Sequence, residues 1–294
     1  GIASMSGISM ALRDVSDLNG VVRQQRRLID ARIAVIEEGD RLKAYALHPS
    51  PATEAAARTA VTQTDERVRL SATAALTSTQ ESALRTAGGI TASGPADFER
   101  LVLAQNALGQ IVKDQIYVEG TAIQRSLDGF ARNATAASET GAADKAREAS
   151  AAYSLVRIAI ERFVAQSSPV NATAARDATL SLEEVLNQLY DSTRNPALLS
   201  QADQIIKRLI HYDNAFRTIT DLTGRRDRLL AGFARRQQIV GDTVSTVGGA
   251  VDSVQGGAVK NARLALGGRS AFRSCSASSG SPSCISRASY FVGQ

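Results

Sequence analysis

The sequence predicts an all-α protein of six helices, and three observations support this prediction. Apolar residues recur at steps of three and four along most of the chain, which is the spacing of helices with one buried face. The six prolines fall between these periodic stretches, where they mark helix starts and stops. No stretch shows the strict alternation of apolar and polar residues that is typical of a strand.

The first predicted helix runs from about Ile8 to His48 and ends before a proline pair. Its apolar residues predict one buried stripe through Ile8, Leu12, Val15, Val22, Ile29, Ile33 and Ile36. The same stripe passes Asn19, Arg26 and Asp40. We therefore expect the guanidinium of Arg26 to face the interior, where it needs an anion because breaking a buried ion pair costs about 3–5 kcal/mol.

Capping signals place the second and third helices. Thr53 is a suitable N-cap for a helix over about residues 53–87, which stops at the glycine pair 88–89. Pro95 then opens a third helix over about residues 96–137, because proline is favoured in the first helical turn.

Three further helices are predicted over about residues 142–166, 172–193 and 196–254. A turn near Gly141 separates the third helix from the fourth; the alternative is one helix that runs on to Gln166. The sixth helix has the clearest apolar seam and, at 1.5 Å per residue, would be roughly 85 Å long. A helix of that length must pass through two packed layers or extend as a coiled coil.

The two ends of the chain have a different character. Residues 1–7 are consistent with the end of a preceding transmembrane helix, although no run approaches the roughly 18 apolar residues that span a bilayer. Residues 8–258 form the predicted helical domain, and residues 259–294 are a Gly/Ser-rich tail that we expect to be disordered or non-native. The tail contains Cys275 and Cys284, which no predicted feature of the helical domain requires.

Composition excludes several classes of function. Lys and Arg number 34 against 29 acidic residues, and no basic block is interleaved with aromatic residues, so we expect no nucleic-acid partner. No glycine-rich phosphate loop, HExxH, CxxC or nucleophile-elbow motif occurs. We therefore expect a protein that is not an enzyme and has no metal site and no cofactor.

The arginines of the first helix are the one group of residues in the sequence whose spacing suggests a binding site. Arg23, Arg26 and Arg27 share a helix face at spacings of three and four, so like charges lie close together. Asp30 follows Arg26 by four residues, and one interpretation is that it neutralises part of the cluster within the helix. The other is that the arginines bind the carboxylates of a ligand, and the two can coexist.

A second interruption of an apolar seam, at TGRRDR in the sixth helix, is expected to lie at the level of Arg26. Two interruptions at one level predict a polar cavity that favours a small anion. The candidate ligand-binding residues are Arg23, Arg26, Arg27, Thr73, Thr77, Tyr117, Thr223 and Arg226.

With six helices, two of them long, and an RxxR pair at Arg23 and Arg26, the chain resembles the helical bimodular sensor domain of bacterial chemoreceptors. The resemblance implies two stacked four-helix bundles that share two long helices. The near bundle would contain the first two helices, the first half of the third and the second half of the sixth. It also implies a periplasmic homodimer, held at the inner membrane by flanking transmembrane helices, and an RxxR pair that contacts the carboxylates of an organic acid.

These observations predict an extracytoplasmic sensor domain that binds a small carboxylate between helices and transmits a helix displacement across the membrane. A sensor histidine kinase could contain the same domain. The alternative from another class is a structural helical-bundle or coiled-coil scaffold without a ligand, in which Arg26 pairs with a carboxylate of a neighbouring helix.

Overall fold

The computed structural model describes the backbone of residues 2–276 and the side chains of residues 19–253, 256 and 257. Over that range the protein is all-helical and contains no strand, as the sequence predicts. The α-helices are α1 (Ile2–Leu47), α2 (Pro51–Ala72), α3 (Ser78–Thr91), α4 (Gly94–Ile111), α5 (Val118–Ala136), α6 (Thr140–Ala165), α7 (Pro169–Ser192) and α8 (Pro196–Ser276). A π-helical segment, Val112–Tyr117, joins α4 to α5.

These segments reproduce six helices when α3, α4, the π-helical segment and α5 are taken as one interrupted helix. Only residues 92–93 separate α3 from α4, and Ala92 keeps helical dihedral angles while its N–H donates to the Gly88 carbonyl. The position of the second turn was therefore predicted wrongly. The chain turns at residues 73–77, not at the glycine pair 88–89, which lies inside α3.

Two local hydrogen bonds stabilise the start of α3 after this turn. The Thr77 hydroxyl accepts a hydrogen bond from the backbone N–H of Gln80 at 3.2 Å, so Thr77 is the N-cap of α3. The side chain of Gln80 in turn accepts from the Leu76 N–H at 3.2 Å. Glycines 88 and 89 are tolerated within α3 because a glycine inside a helix costs only about 1 kcal/mol.

The later boundaries agree with the sequence more closely. The turn between α5 and α6 is centred on Ser138, whose φ of 61° is left-handed, so one continuous helix to Gln166 is excluded. The Ser168 hydroxyl caps α7 by accepting from the Asn171 N–H at 3.1 Å. Helix α8 begins at Pro196 as predicted but continues to Ser276, past the predicted end at Val254. Residues 277–294 of the predicted tail, with Cys284, lie outside the described residues.

The chain divides into two compact units. Within the described residues, unit 1 comprises residues 2–48, 55–94 and 234–276, and unit 2 comprises residues 49–54 and 95–233. Helix α4 thus belongs to unit 2, whereas the sequence prediction placed the first half of its third helix with the first two.

Four helical segments contribute to the core of unit 1. The buried residues come from α1, α2, α3 and the C-terminal part of α8: Val21, Leu28, Ala31, Val35, Val68, Ala72, Leu84, Ala87, Val240, Val244, Val247 and Val251. Aliphatic side chains and alanines fill this core, and the alanines allow close helix packing.

The core of unit 2 is larger and contains aromatic rings. It is built from α4 and α5, α6, α7 and the N-terminal part of α8, with Phe163 packed edge-to-face on Phe216 at a centroid distance of 5.4 Å. The predicted seam of the sixth helix is confirmed here, because these residues are all buried: Leu198, Ala202, Ile205, Leu209, Tyr212, Phe216 and Ile219.

The buried face of α1 differs from the predicted one. Val22, Ile29, Ile33 and Ile36 are 52, 52, 49 and 57% exposed, so the predicted stripe faces outward wherever its side chains are described. The buried stripe instead passes through Val21, Gln24, Leu28, Ala31, Val35, Glu38, Leu42 and Tyr45. Helix α1 therefore has two apolar stripes, and the stripe that includes Gln24 and Glu38 faces the core.

Candidate functional site

The rotation of α1 about its axis determines whether Arg26 faces the core or the solvent. This side chain lies on the exposed stripe and makes no hydrogen bond or ion pair with any residue whose side chain is described. The prediction that Arg26 faces the bundle interior is therefore wrong. The reason is that the isoleucines Ile29, Ile33 and Ile36, which share a face of α1 with Arg26, are not the residues that pack against α2, α3 and α8.

The other two arginines of the cluster lie beside a cavity in unit 1. This cavity has a volume of about 320 Å³ and lies between α1 and the turn that joins α2 to α3. Its lining residues are Gly20, Arg23, Arg27, Thr73, Ala74, Ala75 and Leu76. The structure thus brings together three of the eight predicted site residues: Arg23, Arg27 and Thr73.

Arg27 crosses from α1 to the end of α2. Its Nη1 donates to the Leu70 carbonyl at 2.8 Å and also to the Thr73 hydroxyl. The Thr73 hydroxyl donates to the same Leu70 carbonyl at 2.8 Å. Arg27 therefore helps to cap α2, where a positive charge is favourable beside unsatisfied carbonyls.

No carboxylate among the described residues neutralises either arginine that lines the cavity. Arg23 donates through Nε to the Asn19 carbonyl at 3.3 Å, within its own helix. Asp30, which the sequence offered as an internal counter-ion, lies 3.9 Å from Arg67 of α2 instead. Within the described part of the chain, Arg23 and Arg27 thus hydrogen-bond only neutral oxygens, and the cavity has two adjacent positive charges.

A buried amide pair forms one side of the adjoining core. Gln24 is fully buried and donates through Nε2 to the Gln80 side chain at 3.3 Å. The Gln80 side-chain oxygen also accepts a hydrogen bond from the Leu76 N–H. Gln80 therefore links α1 to Leu76, which lines the cavity. The turn and α1 are therefore positioned relative to each other by polar side chains as well as by packing.

Thr77 supports the cavity without lining it. As the N-cap of α3, Thr77 directly follows Leu76 and fixes the start of the helix at Ser78. The N-terminus of a helix has a partial positive charge, which adds to the positive potential that the two arginines create.

The remaining predicted site residues belong to unit 2. Tyr117 ends the π-helical segment and is 55% exposed. Thr223 is buried, as expected of an inward position. Arg226 donates through Nη2 to the Ser167 hydroxyl and to Asp227, both at 2.8 Å, so its charge is partly neutralised by its neighbour in the chain.

Unit 1 contains buried polar residues around Glu38, and not around Arg26 as the sequence predicts. Glu38 of α1 is buried beside Thr64 of α2 and beside Arg236 and Gln237 of α8, and its Oε1 has no hydrogen-bond partner among the described residues. Burial raises the pKa of Glu38 above its ordinary value of 4.5, and the Thr64 hydroxyl and the charge of Arg236 oppose this only in part. The buried charge on α1 is thus a carboxylate, not a guanidinium.

The sequence contains a weak signal for the residues that the prediction missed. Val21, Gln24, Leu28, Ala31, Val35, Glu38 and Leu42 also follow steps of three and four. A polar residue in such a stripe marks a position where a neighbouring helix must supply a partner. Gly20 and Leu76 have no such signal, because only the approach of the turn to α1 makes them cavity residues.

Among the side chains that the structure describes, no group of His, Cys, Asp and Glu is arranged to hold a metal ion. Of the helices in the described part of the chain, none combines the length and the hydropathy that crossing a bilayer requires. A scan against protein-family models finds no match, and no curated protein is significantly similar to the chain.

Proposed function

We propose that the protein is the extracytoplasmic sensor domain of a bacterial chemoreceptor and binds a small organic acid in the unit 1 cavity. The observation that supports this most directly is the pair Arg23 and Arg27, which line a cavity and have no carboxylate partner among the described residues. Guanidinium groups bind carboxylates through charge-assisted and often bidentate hydrogen bonds. A volume of about 320 Å³ is at the lower end of the range for small-molecule sites.

The ligand would act by linking two elements. Its carboxylates would meet Arg23 and Arg27 on α1, and its remaining polar atoms would meet Thr73 on the turn between α2 and α3. Such a ligand relieves the repulsion between the arginines and favours the arrangement in which α1 and the turn approach each other. Only this difference in affinity between two helix arrangements produces a signal. The displacement of α1 would pass to a flanking transmembrane helix, with the domain in the periplasm and the receptor in the inner membrane.

The proposed architecture is two stacked four-helix bundles that share long helices. Each unit draws its core from four helical segments, and α8 supplies residues to both cores. The scaffold alternative is favoured by a separate observation, namely the hydrogen bonds by which Arg27 caps α2. An arginine that only caps a helix needs no ligand, so binding must be measured directly.

The exposed stripe of α1 supports the proposed homodimer. Val22, Ile29 and Ile36 recur at steps of seven and Ile33 lies between them, which is the spacing of a helix–helix seam. Burial of the exposed half of one such residue contributes about 1 kcal/mol, half of the roughly 1.5–3 for a whole side chain. Four residues on each of two copies give about 8 kcal/mol, against an association cost of about 4–15 kcal/mol. The stripe therefore predicts weak association of the isolated domain.

Calorimetric titration with acetate, succinate, malate and citrate tests the binding proposal. Arg23→Gln should weaken the tightest of these acids about tenfold or more, since a hydrogen bond to a charged group contributes about 1.5–3 kcal/mol. Arg26→Gln is the matched control, because it removes the same charge from the same helix without touching the cavity. Equal affinities of wild type and Arg23→Gln, or equal losses in both variants, would refute this site.

A further inference from the structure

Unit 2 contains a groove between α4 and α8 that is lined by leucines and arginines. Its volume is about 520 Å³, and its lining residues are Arg100, Leu103, Ala104, Leu222, Arg225, Arg228 and Leu229. All seven belong to unit 2. The spacing of Leu222, Arg225 and Leu229 by three and four residues places them on one face of α8.

The walls of the groove are apolar and open to solvent. Leu103 is 69% exposed, although it lies only two residues after the fully buried Leu101. Leu222 and Leu229 are partly buried on α8, and the buried Ala104 adds a small side chain from α4. A ligand with an apolar body would therefore remove leucine surface from water on both sides.

Positive charge lies around these leucines. Arg100 pairs with Asp97 at 3.1 Å and Arg225 pairs with Asp221 at 2.7 Å, each within its own helix and each with an exposed guanidinium. Exposed pairs of this kind are weak, so either arginine can turn toward a stronger acceptor. Arg228 makes no hydrogen bond or ion pair with a residue whose side chain is described. Three guanidinium groups thus face two carboxylates, and the groove has an excess of positive charge.

We propose that this groove binds an organic acid with an apolar chain, whose carboxylate meets Arg228 and whose chain packs on Leu103, Leu222 and Leu229. The volume is within the range of sites for single small molecules and is too small for a helix of a partner protein. The proposal does not depend on the proposed function of unit 1. It concerns a second class of ligand, because one leucine lines the unit 1 cavity, whereas three leucines line this groove.

Calorimetry with three probes tests the ligand class, on the full chain carrying Arg23→Gln so that acetate binding in the proposed unit 1 site is weakened. Octanoate has both the charge and the chain, acetate has the charge alone, and 1-octanol has the chain alone. Octanoate should bind at least tenfold more tightly than either of the others. If 1-octanol binds as tightly as octanoate, the groove is only an apolar surface, and if acetate does so, the leucines take no part; both results overturn the proposal.

Variants then assign the binding to this groove. Arg228→Gln should weaken octanoate about tenfold, and Leu103→Ser, at an exposed position that the fold does not need, should weaken it several-fold. Arg125→Gln on α5, an exposed arginine outside the groove, is the matched control and should leave octanoate affinity within about twofold. An unchanged affinity in both Arg228→Gln and Leu103→Ser would overturn the site.

The two proposals fail independently. Arg23→Gln should leave octanoate binding unchanged, and Arg228→Gln should leave citrate or malate binding unchanged. If the small acids do not bind but octanoate still depends on Arg228, the unit 1 proposal fails and this one stands. If octanoate binding is lost in Arg23→Gln and retained in Arg228→Gln, octanoate occupies the unit 1 cavity and the groove proposal is wrong.

Discussion

Replacing Gly120 by alanine tests the packing of the unit 2 core. A Cβ atom at Gly120 would lie 2.6 Å from the hydroxyl of Tyr153 and 3.4 Å from Cε2 of Tyr212. The two tyrosine rings are buried and packed edge-to-face at 5.9 Å, and neither hydroxyl has a hydrogen-bond partner among the described residues. The added methyl group therefore forces a shift of Tyr153, which the surrounding side chains oppose.

The magnitude follows from two opposing effects. Alanine is favoured over glycine in a helix interior by about 1 kcal/mol. Overpacking a well-filled core costs about 1–3 kcal/mol. Gly120→Ala should therefore change the free energy of unfolding by between about zero and −2 kcal/mol. Gly129→Ala, on the same helix with no heavy atom within 4 Å of the new Cβ, should raise it by up to about 1 kcal/mol.

A double-mutant cycle isolates the contact. Tyr153→Phe removes the colliding oxygen and should by itself be close to neutral, because that hydroxyl has no hydrogen-bond partner to lose among the described residues. In the Tyr153→Phe background, Gly120→Ala should recover about 1–2 kcal/mol. Urea unfolding followed by circular dichroism measures all four proteins. If Gly120→Ala is as stable as Gly129→Ala, or is not rescued by Tyr153→Phe, the Tyr153 hydroxyl does not pack against Gly120 and the reasoning fails.

Two further predictions concern unit 1. Because burial raises the folded-state pKa of Glu38 above 4.5, its contribution to stability is full below pH 4.5 and is lost as pH rises through the folded-state value. Glu38→Gln should therefore gain stability relative to wild type between pH 4 and pH 8 in urea unfolding, and a difference that does not change with pH would contradict this. Ile33→Asp on the exposed stripe of α1 should weaken self-association about tenfold or more in sedimentation equilibrium, since a charge replaces an apolar contact. Leu155→Asp, a change at a leucine of α6 that is 63% exposed against 49% for Ile33, should not, and equal effects of the two would show that association is non-specific.

The arginine cluster shows how much of the candidate site could be predicted from the sequence. Residue type and spacing alone indicated an anion site on the first helix, and Arg23 and Arg27 do line a cavity with Thr73. The sequence favoured Arg26 because Ile29, Ile33 and Ile36 lie on its face of α1. An apolar stripe in a sequence does not reveal whether the stripe packs within its own unit or remains exposed, and α1 has a stripe of each kind.

The end of α2 is a helix boundary that the sequence pattern could not predict. Gly88 and Gly89 are a stronger local stop signal than residues 73–77, yet the chain turns at 73–77. The turn is held there by contacts distant in sequence, from Arg27 to the Leu70 carbonyl and from Gln24 to Gln80. A local pattern cannot register contacts between residues about fifty positions apart.

The sequence by itself determined the helical class, most helix boundaries and the buried seam of the long final helix, because these depend on the 3.6-residue period, on proline and on capping residues. Only the tertiary structure decided which of the two stripes of α1 is buried, where the second turn lies and which arginines share a cavity. These outcomes depend on the rotation of one helix about its axis relative to its neighbours, and a rotation of about 100° changes every inward side chain without changing the helical pattern.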